Sequence, residues 1–242
     1  MLAVLLIGFT AMATSTFAGI TGGVGGGMLL LACMPFFLPV EAIIPVHGVS
    51  QLASNASRAL MAIKHMAWRY LPGFLLGSVL GIFAAWQLLR AIQVEWLPLC
   101  IGIYILCHVW WPAFKNSMSR FENFFLIGLI QTGLNPIVGA TSPLTATLAM
   151  AKLKEKEAIV ATNSVMMSFS HFSKTALFVF LGFEYREYWK EMLIMSLGAI
   201  LGSYLGTLVR RRIDGARFIM ILKAMLSALA IKMVAETLIT FA

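Results

Sequence analysis

Gly22-Gly23-Val24-Gly25-Gly26-Gly27 interrupts an otherwise apolar run that extends from Met1 to Val40. Five glycines in six positions make a continuous helix implausible, since each interior glycine costs about 1 kcal/mol relative to alanine. In hydrocarbon, a broken helix persists only where its freed amide and carbonyl groups face a polar cavity or other protein. The second arm of such a helix begins with N–H groups that favour anions. The stretch therefore predicts an anion site built from backbone at membrane depth.

The rest of the chain supplies the membrane. Of 242 residues, 60% are hydrophobic and 12% charged, with a mean hydropathy of +0.88, whereas a soluble domain carries about 25% charged residues. The reading is an all-α integral membrane protein. The net charge of +8 then reports orientation in the bilayer rather than nucleic-acid binding, which would need a basic face with interleaved stacking groups. Cys33, Cys100 and Cys107 form no CxxC pair and no cluster with histidine. They read as small apolar packing residues, and no metal or cofactor is expected. The N-terminus has no basic flank or convincing cleavage site and reads as a retained segment.

Apolar runs separated by short polar punctuation predict about eight helical segments, over 2–39, 42–63, 69–90, 96–112, 121–151, 157–182, 188–211 and 216–241. The first is broken at the glycines. The fifth is broken between Asn135-Pro136 and Ser142-Pro143, because proline removes a donor and clashes with the preceding turn. If each broken segment crosses once, Lys and Arg divide six against eight; if each returns to the side it entered, they divide eleven against three. The second arrangement satisfies the bias of cytoplasmic loops toward Lys and Arg and leaves both termini outside the cytoplasm. Whether the broken segments are shallow re-entrant hairpins or pairs of full crossings stays open.

The two halves, 1–118 and 119–242, repeat. Ala42 to Val49 aligns with Ala158 to Val165 at an offset of 116, Ser54 to Arg58 with Ser170 to Lys174, and Gly25-Gly26-Gly27 with Thr141-Ser142-Pro143. A same-side hairpin and three crossings per half start the second half on the opposite face, so the repeats are inverted, with a site between them.

These residues resemble the sulfite exporter TauE/SafE family over nearly the whole chain. The resemblance rests on Ile20-Thr21-Gly22-Gly23-Val24-Gly25-Gly26-Gly27, on Ala42-Ile43-Ile44-Pro45-Val46-His47-Gly48-Val49-Ser50, and on a weaker second copy that includes Ala161-Thr162-Asn163-Ser164-Val165-Met166-Met167. It implies a permease of the cytoplasmic (inner) membrane that carries sulfite or small organosulfonates. The second copy departs from the family in reading Val138-Gly139-Ala140-Thr141-Ser142-Pro143, with hydroxyl side chains where the family keeps more glycine.

The candidate substrate-binding residues follow from the breaks and from two polar helix faces. Gly25, Gly26 and Gly27 would present main-chain donors to an oxyanion, with close helix packing as the plainer explanation. Packing needs glycine at every fourth position, the pattern of Gly73, Gly77, Gly81 and of Gly198, Gly202, Gly206. Thr141 and Ser142 would add hydroxyls at the second break, unless they bond back to their own backbone. His47, Gln51, Ser54 and Arg58 share one helix face, and Asn163, Ser170 and Lys174 repeat it 116 residues later. A cation within a span faces a cavity or a partner; the simpler alternative is that Arg58 snorkels to the interface. His47 and His171 are candidates for proton coupling. The partners expected are a small anion and the lipid bilayer, without nucleic acid; a homodimer is allowed but not required.

Two other classes compete with a transporter. An intramembrane hydrolase would need a Ser–His pair, but Ser54 and His47 lie about 10 Å apart along one helix and no GxSxG is present. A membrane subunit without transport of its own lacks the long soluble loops that dock partners.

Overall fold

The computed structural model describes residues 2–89, 97–119, 123–209, 224, 227–228 and 230–239, and among them every regular element is helical. The α-helices are α1 (Leu2–Ile20), α2 (Gly26–Cys33), α3 (Val40–Ala62), α4 (Leu71–Leu89), α5 (Leu97–Trp110), α6 (Pro112–Ser119), α7 (Phe124–Val138), α8 (Ser142–Lys152), α9 (Lys156–Phe180) and α10 (Trp189–Val209). Residues 230–239 are helical as well. Arg90, Trp96, Arg120, Arg210–Arg212, Arg217 and the start of the predicted last segment lie outside the described residues.

Three stretches, Leu2–Ile20, Trp68–Gln87 and Tyr185–Val209, are long and apolar enough to cross a membrane. Helices α3 and α9 have 23 and 25 residues, a length of about 35 Å against a hydrocarbon core of about 30 Å. Their composition is too polar to read as lipid-facing, and most of their polar side chains are buried within the protein. That is where intramembrane polar groups belong.

Both predicted breaks are present, and both are narrower than the sequence suggested. The first spans Thr21–Gly25 and the second Gly139–Thr141. Pro136 does not interrupt its helix. It lies inside α7, where it costs the bond its missing N–H would make to the Thr132 carbonyl. Pro143 lies in the first turn of α8, where a missing N–H is no loss. Left-handed backbone carries both turns, at Gly22, Gly23 and Gly25 in the first and at Gly139 in the second. The short helix α6, between α5 and α7, was not anticipated.

Each of the three closest helix pairs joins an element of the first half to one of the second: α1 with α10, α4 with α7, and α3 with α9. The first two pairs are glycine interlocks. A Cβ on Gly198, Gly202 or Gly206 would collide with the carbonyls of Gly8, Met12 and Thr16 respectively, and one on Gly77 or Gly81 with those of Phe125 and Leu129. Gly73, the remaining member of the two triplets, has no atom closer than 3.8 Å to such a Cβ. Contacts advance in the same sense along both chains, so α1 is parallel to α10 and α4 to α7. The third pair runs the other way. Gly48 lies against Lys174 and Thr175, while Ala62 and Met66 pack on Ala161, so α3 and α9 are antiparallel.

Corresponding elements keep the offset read from sequence: α2 and α8 begin at 26 and 142, α3 and α9 at 40 and 156, each 116 apart. An apolar cluster that includes Ile7, Leu30, Leu31, Ile43, Ile44 and Ile137 fills the space between α1, the first break, the start of α3 and the end of α7.

Because the interlocks have no room for a methyl group, Gly202→Ala should destabilise the detergent-solubilised protein by about 1–3 kcal/mol, the usual cost of overpacking. Gly73→Ala should leave the melting temperature unchanged. Equal melting temperatures for the two variants would show that the backbones separate freely.

Candidate functional site

Helices α3 and α9 pack against each other, and together they carry about half of the buried polar side chains among the described residues. Lys174 is fully buried, at 0% exposure. Its ammonium donates to the Gly139 carbonyl at 3.0 Å and to Asn135 Oδ1 at 3.3 Å, and stands 3.2 Å from His47 Nδ1. The other ring nitrogen of His47 lies 3.0 Å from the Gly27 carbonyl. A carbonyl only accepts, so Nε2 carries a hydrogen and donates, and in a neutral ring Nδ1 accepts from the ammonium. The Lys174 nitrogen faces three acceptors, Gly139 O, Asn135 Oδ1 and His47 Nδ1, which matches the three hydrogens of an ammonium and places the charge there. One relay, Gly139 O to Lys174 to His47 to Gly27 O, thus connects the second break to the start of α2.

A second cation lies farther along α3. Arg58 is 2% exposed, so it does not snorkel to the interface. One terminal nitrogen donates to Ser54 Oγ at 2.8 Å and Ser203 Oγ at 3.0 Å, the other to Asn55 Oδ1 at 2.8 Å. Ser54 also donates to Ser15 at 3.1 Å. The equivalent serine of α9, Ser170, sits in a matching hydroxyl cluster, 3.0 Å from Thr132, which donates to Ser78 at 2.9 Å. Among the described residues neither cation is paired with a carboxylate.

The residues predicted from sequence sort into these clusters. Gly27 is gathered at the relay with His47, Lys174 and Gln51; a Cβ on Gly27 would lie 3.1 Å from Gln51 Oε1. Gly25 caps α2 without any side-chain hydrogen bond, and Gly26 packs tightly on Thr14 and Ala18 of α1. Asn163 touches the first break, its Nδ2 lying 3.5 Å from the Gly22 carbonyl. Ser54 and Arg58 form one cluster, and Ser170 lies in the other. Thr141 donates its hydroxyl to the Gln131 carbonyl at 3.2 Å, and Ser142 is buried at the start of α8. His171 stacks edge-on to His47, with ring centroids 5.8 Å apart. Ser54 and His47 have separate partners, so they form no nucleophile–base pair.

Several polar groups of the site were not anticipated. Asn135 binds the ammonium, and Gln131 closes the second break by accepting from Thr145 N at 3.0 Å and from the Thr145 hydroxyl. Gly128, Gln131, Thr132 and Asn135 form a small-and-polar face in an apolar helix, the same signal that identified α3 and α9. Ser78 and Ser203 give no such signal, each standing alone in an apolar run, and Ser15 sits between Thr14 and Thr16 without a polar face of its own periodicity.

Buried polar atoms without a partner among the described residues are Ser50 Oγ, Arg58 Nε, Asn163 Oδ1, Ser164 Oγ and His171 Nδ1. All lie on α3 or α9. An unsatisfied buried group costs about 1–3 kcal/mol, and such groups gather where a protein binds something polar.

The relay predicts the protonation pattern of one ring. In nitrogen-15 NMR at neutral pH, His47 should be the neutral Nε2–H tautomer, and Lys174→Met should perturb its Nδ1 resonance. An Nδ1–H ring, or a resonance indifferent to that substitution, would refute the relay.

No curated protein and no solved structure matches the chain. The profile described as Sulfite exporter TauE/SafE matches residues 4–233, a span that takes in both breaks, both buried cations and all three cross-half helix pairs. On that match the chain belongs to the sulfite exporter TauE/SafE family, a family of membrane transporters and not of enzymes.

Proposed function

We propose that the protein is a secondary transporter, operating as an exporter, for a small sulfur oxyanion such as sulfite or an organosulfonate, across the cytoplasmic membrane. The observation that carries this reading is the pair of buried cations, Arg58 and Lys174, each held by neutral groups among the described residues. Burying an uncompensated charge costs several kcal/mol, and a bound anion offsets that cost. Gly25, Gly26 and Gly27 would add main-chain donors to the site. Gln51, Ser54, Asn163 and Ser170 would add side chains that fix the anion's orientation, and Thr141 and Ser142 would border it.

Helix directions support the hairpin topology. The α9–α10 turn is short, so α9 opposes α10 and hence α1. Since α3 opposes α9, α1 and α3 run the same way, and the chain from Thr21 to Pro39 must return between them. The same reasoning makes α7 and α9 parallel and sends α8 back. If each broken segment crossed once, α3 and α9 would instead be parallel. The returning arms are short, since α2 has 8 residues and α8 has 11, about 12 and 17 Å of helix. Equivalent helices that face each other antiparallel are what inverted repeats produce. With Lys64, Arg69, Lys152, Lys154 and Lys156 on the cytoplasmic side, both termini lie outside.

Alternating access between the two repeats, read from sequence as one half rocking against the other, would have the cross-half pairs α1–α10 and α4–α7 move against each other around α3 and α9, because each pair holds both halves together. With the cell interior negative, moving one negative charge outward gains about 2.3 kcal/mol per 100 mV. The chain contains no GxxxxGK[ST] sequence, and export down the membrane potential needs no nucleotide. His47 and His171 lie where proton movement could couple to the anion.

The test is flux of labelled sulfite, sulfate, acetate, taurine and sulfoacetate into liposomes containing the purified protein. Arg58→Ala and Lys174→Ala should each lower flux about tenfold or more, the loss of a charged hydrogen bond worth about 1.5–3 kcal/mol. Lys154→Ala, in a surface loop, should behave as wild type. Folded protein that moves none of these anions would eliminate the transporter reading.

A further inference from the structure

The antiparallel register that sets His47 opposite Lys174 also sets Arg58 opposite Asn163. The two pairs are equivalent under the repeat, since 163 is 47 plus 116 and 174 is 58 plus 116. At the first pair the bond is made, with Lys174 Nζ 3.2 Å from His47 Nδ1. At the second, the corresponding donor and acceptor, Arg58 Nε and Asn163 Oδ1, are both buried and both without a partner among the described residues.

The glycines of the two breaks repeat the same contrast. Gly139, whose carbonyl accepts from Lys174, has φ 81°, and its equivalent Gly23 has φ 99°. Asn163 already lies against Gly23, its Nδ2 2.8 Å from where a Cβ would stand. Arg58 is turned elsewhere, onto Ser54, Asn55 and Ser203. A cation, an acceptor and a left-handed glycine therefore recur at the second position, and only the contacts of Arg58 to the other two are missing.

We propose that Arg58, Asn163 and Gly23 form a second latch, closed in the opposite-facing state, and that the Lys174–His47–Gly139 latch is its counterpart, closed in the state described here. In the opposite state Arg58 leaves Ser54 and Ser203, Nε donates to Asn163 Oδ1, and a terminal nitrogen donates to the Gly23 carbonyl. Lys174 releases Gly139 in the same movement. Asn163 is thereby a positioning residue: it acts through Arg58 and decides which side of the site is open. Exchanging one charge-assisted set of bonds for a similar one keeps the two states close in free energy, so that modest differential binding of an anion shifts the population. The inference rests on the transporter reading above, and its test separates the two.

In a background with Cys33, Cys100 and Cys107 replaced, two double variants are compared in membranes, His47→Cys with Lys174→Cys and Arg58→Cys with Asn163→Cys. Each pair should form a disulfide on mild oxidation. Separately, a reporter cysteine introduced by Val24→Cys is labelled with a membrane-impermeant maleimide from one side. His47→Ala and Asn163→Ala should change its labelling rate at least twofold in opposite directions, whereas a merely structural role would move both the same way. Asn163→Gln, which keeps the acceptor, should restore part of the shift and also covers poor folding of the alanine variant. Shifts of the same sign, or failure of the second pair to cross-link where the first does, would overturn the latch. Neither labelling nor cross-linking uses a substrate, so absence of flux for every anion would count against the transporter reading alone.

Discussion

A single ammonium group, that of Lys174, ties the architecture together. It reaches the carbonyl at the second helix break directly and the start of α2 through His47. Breaking a helix in hydrocarbon leaves polar backbone that needs partners, and a buried cation needs acceptors. Each requirement answers the other. The glycine turns would be costly against lipid, and Lys174 would be costly against apolar side chains.

Around this polar centre the molecule is held by contacts of the opposite kind. The α1–α10 and α4–α7 pairs bring backbone against backbone, with glycines where any side chain would intrude. Such packing is stiff and has few alternatives. The centre, by contrast, has hydroxyls, amides and imidazoles that can exchange partners without changing volume. Rigid pairs outside and exchangeable hydrogen bonds inside are a suitable division for a protein that must adopt two arrangements.

The features legible in the sequence were those that a single segment can express. The glycine run, the i, i+4, i+7, i+11 faces of α3 and α9 and the spaced glycine triplets depend on local periodicity, and each was readable. What escaped depended on the other half of the chain. Ser203 matters because α10 lies near Ser15 and Ser54, and Ser78 because α4 lies along α7; no local pattern states either fact. The second break was drawn too wide because proline was read as a breaker wherever it stood, although Pro143 opens α8 and Pro136 is carried within α7. Asn135 stands beside Pro136, whose backbone effect masks the amide as a signal. The polar face of Gln131, Thr132 and Asn135 was visible and needed only the test already applied to α3.

The α1–α10 interlock also bears on how the chain is assembled. The partner of α1 begins at Trp189, 169 residues beyond the end of α1 at Ile20. During synthesis α1 therefore enters the bilayer with its glycine-complementary face against lipid or an insertion factor, and it reaches that neighbour only after α2 to α9 have been made. Helix α4 waits a shorter time, since α7 begins at Phe124. The biogenesis of this protein is thus ordered from the middle outward, with α1 settling against α10 after α4 has met α7.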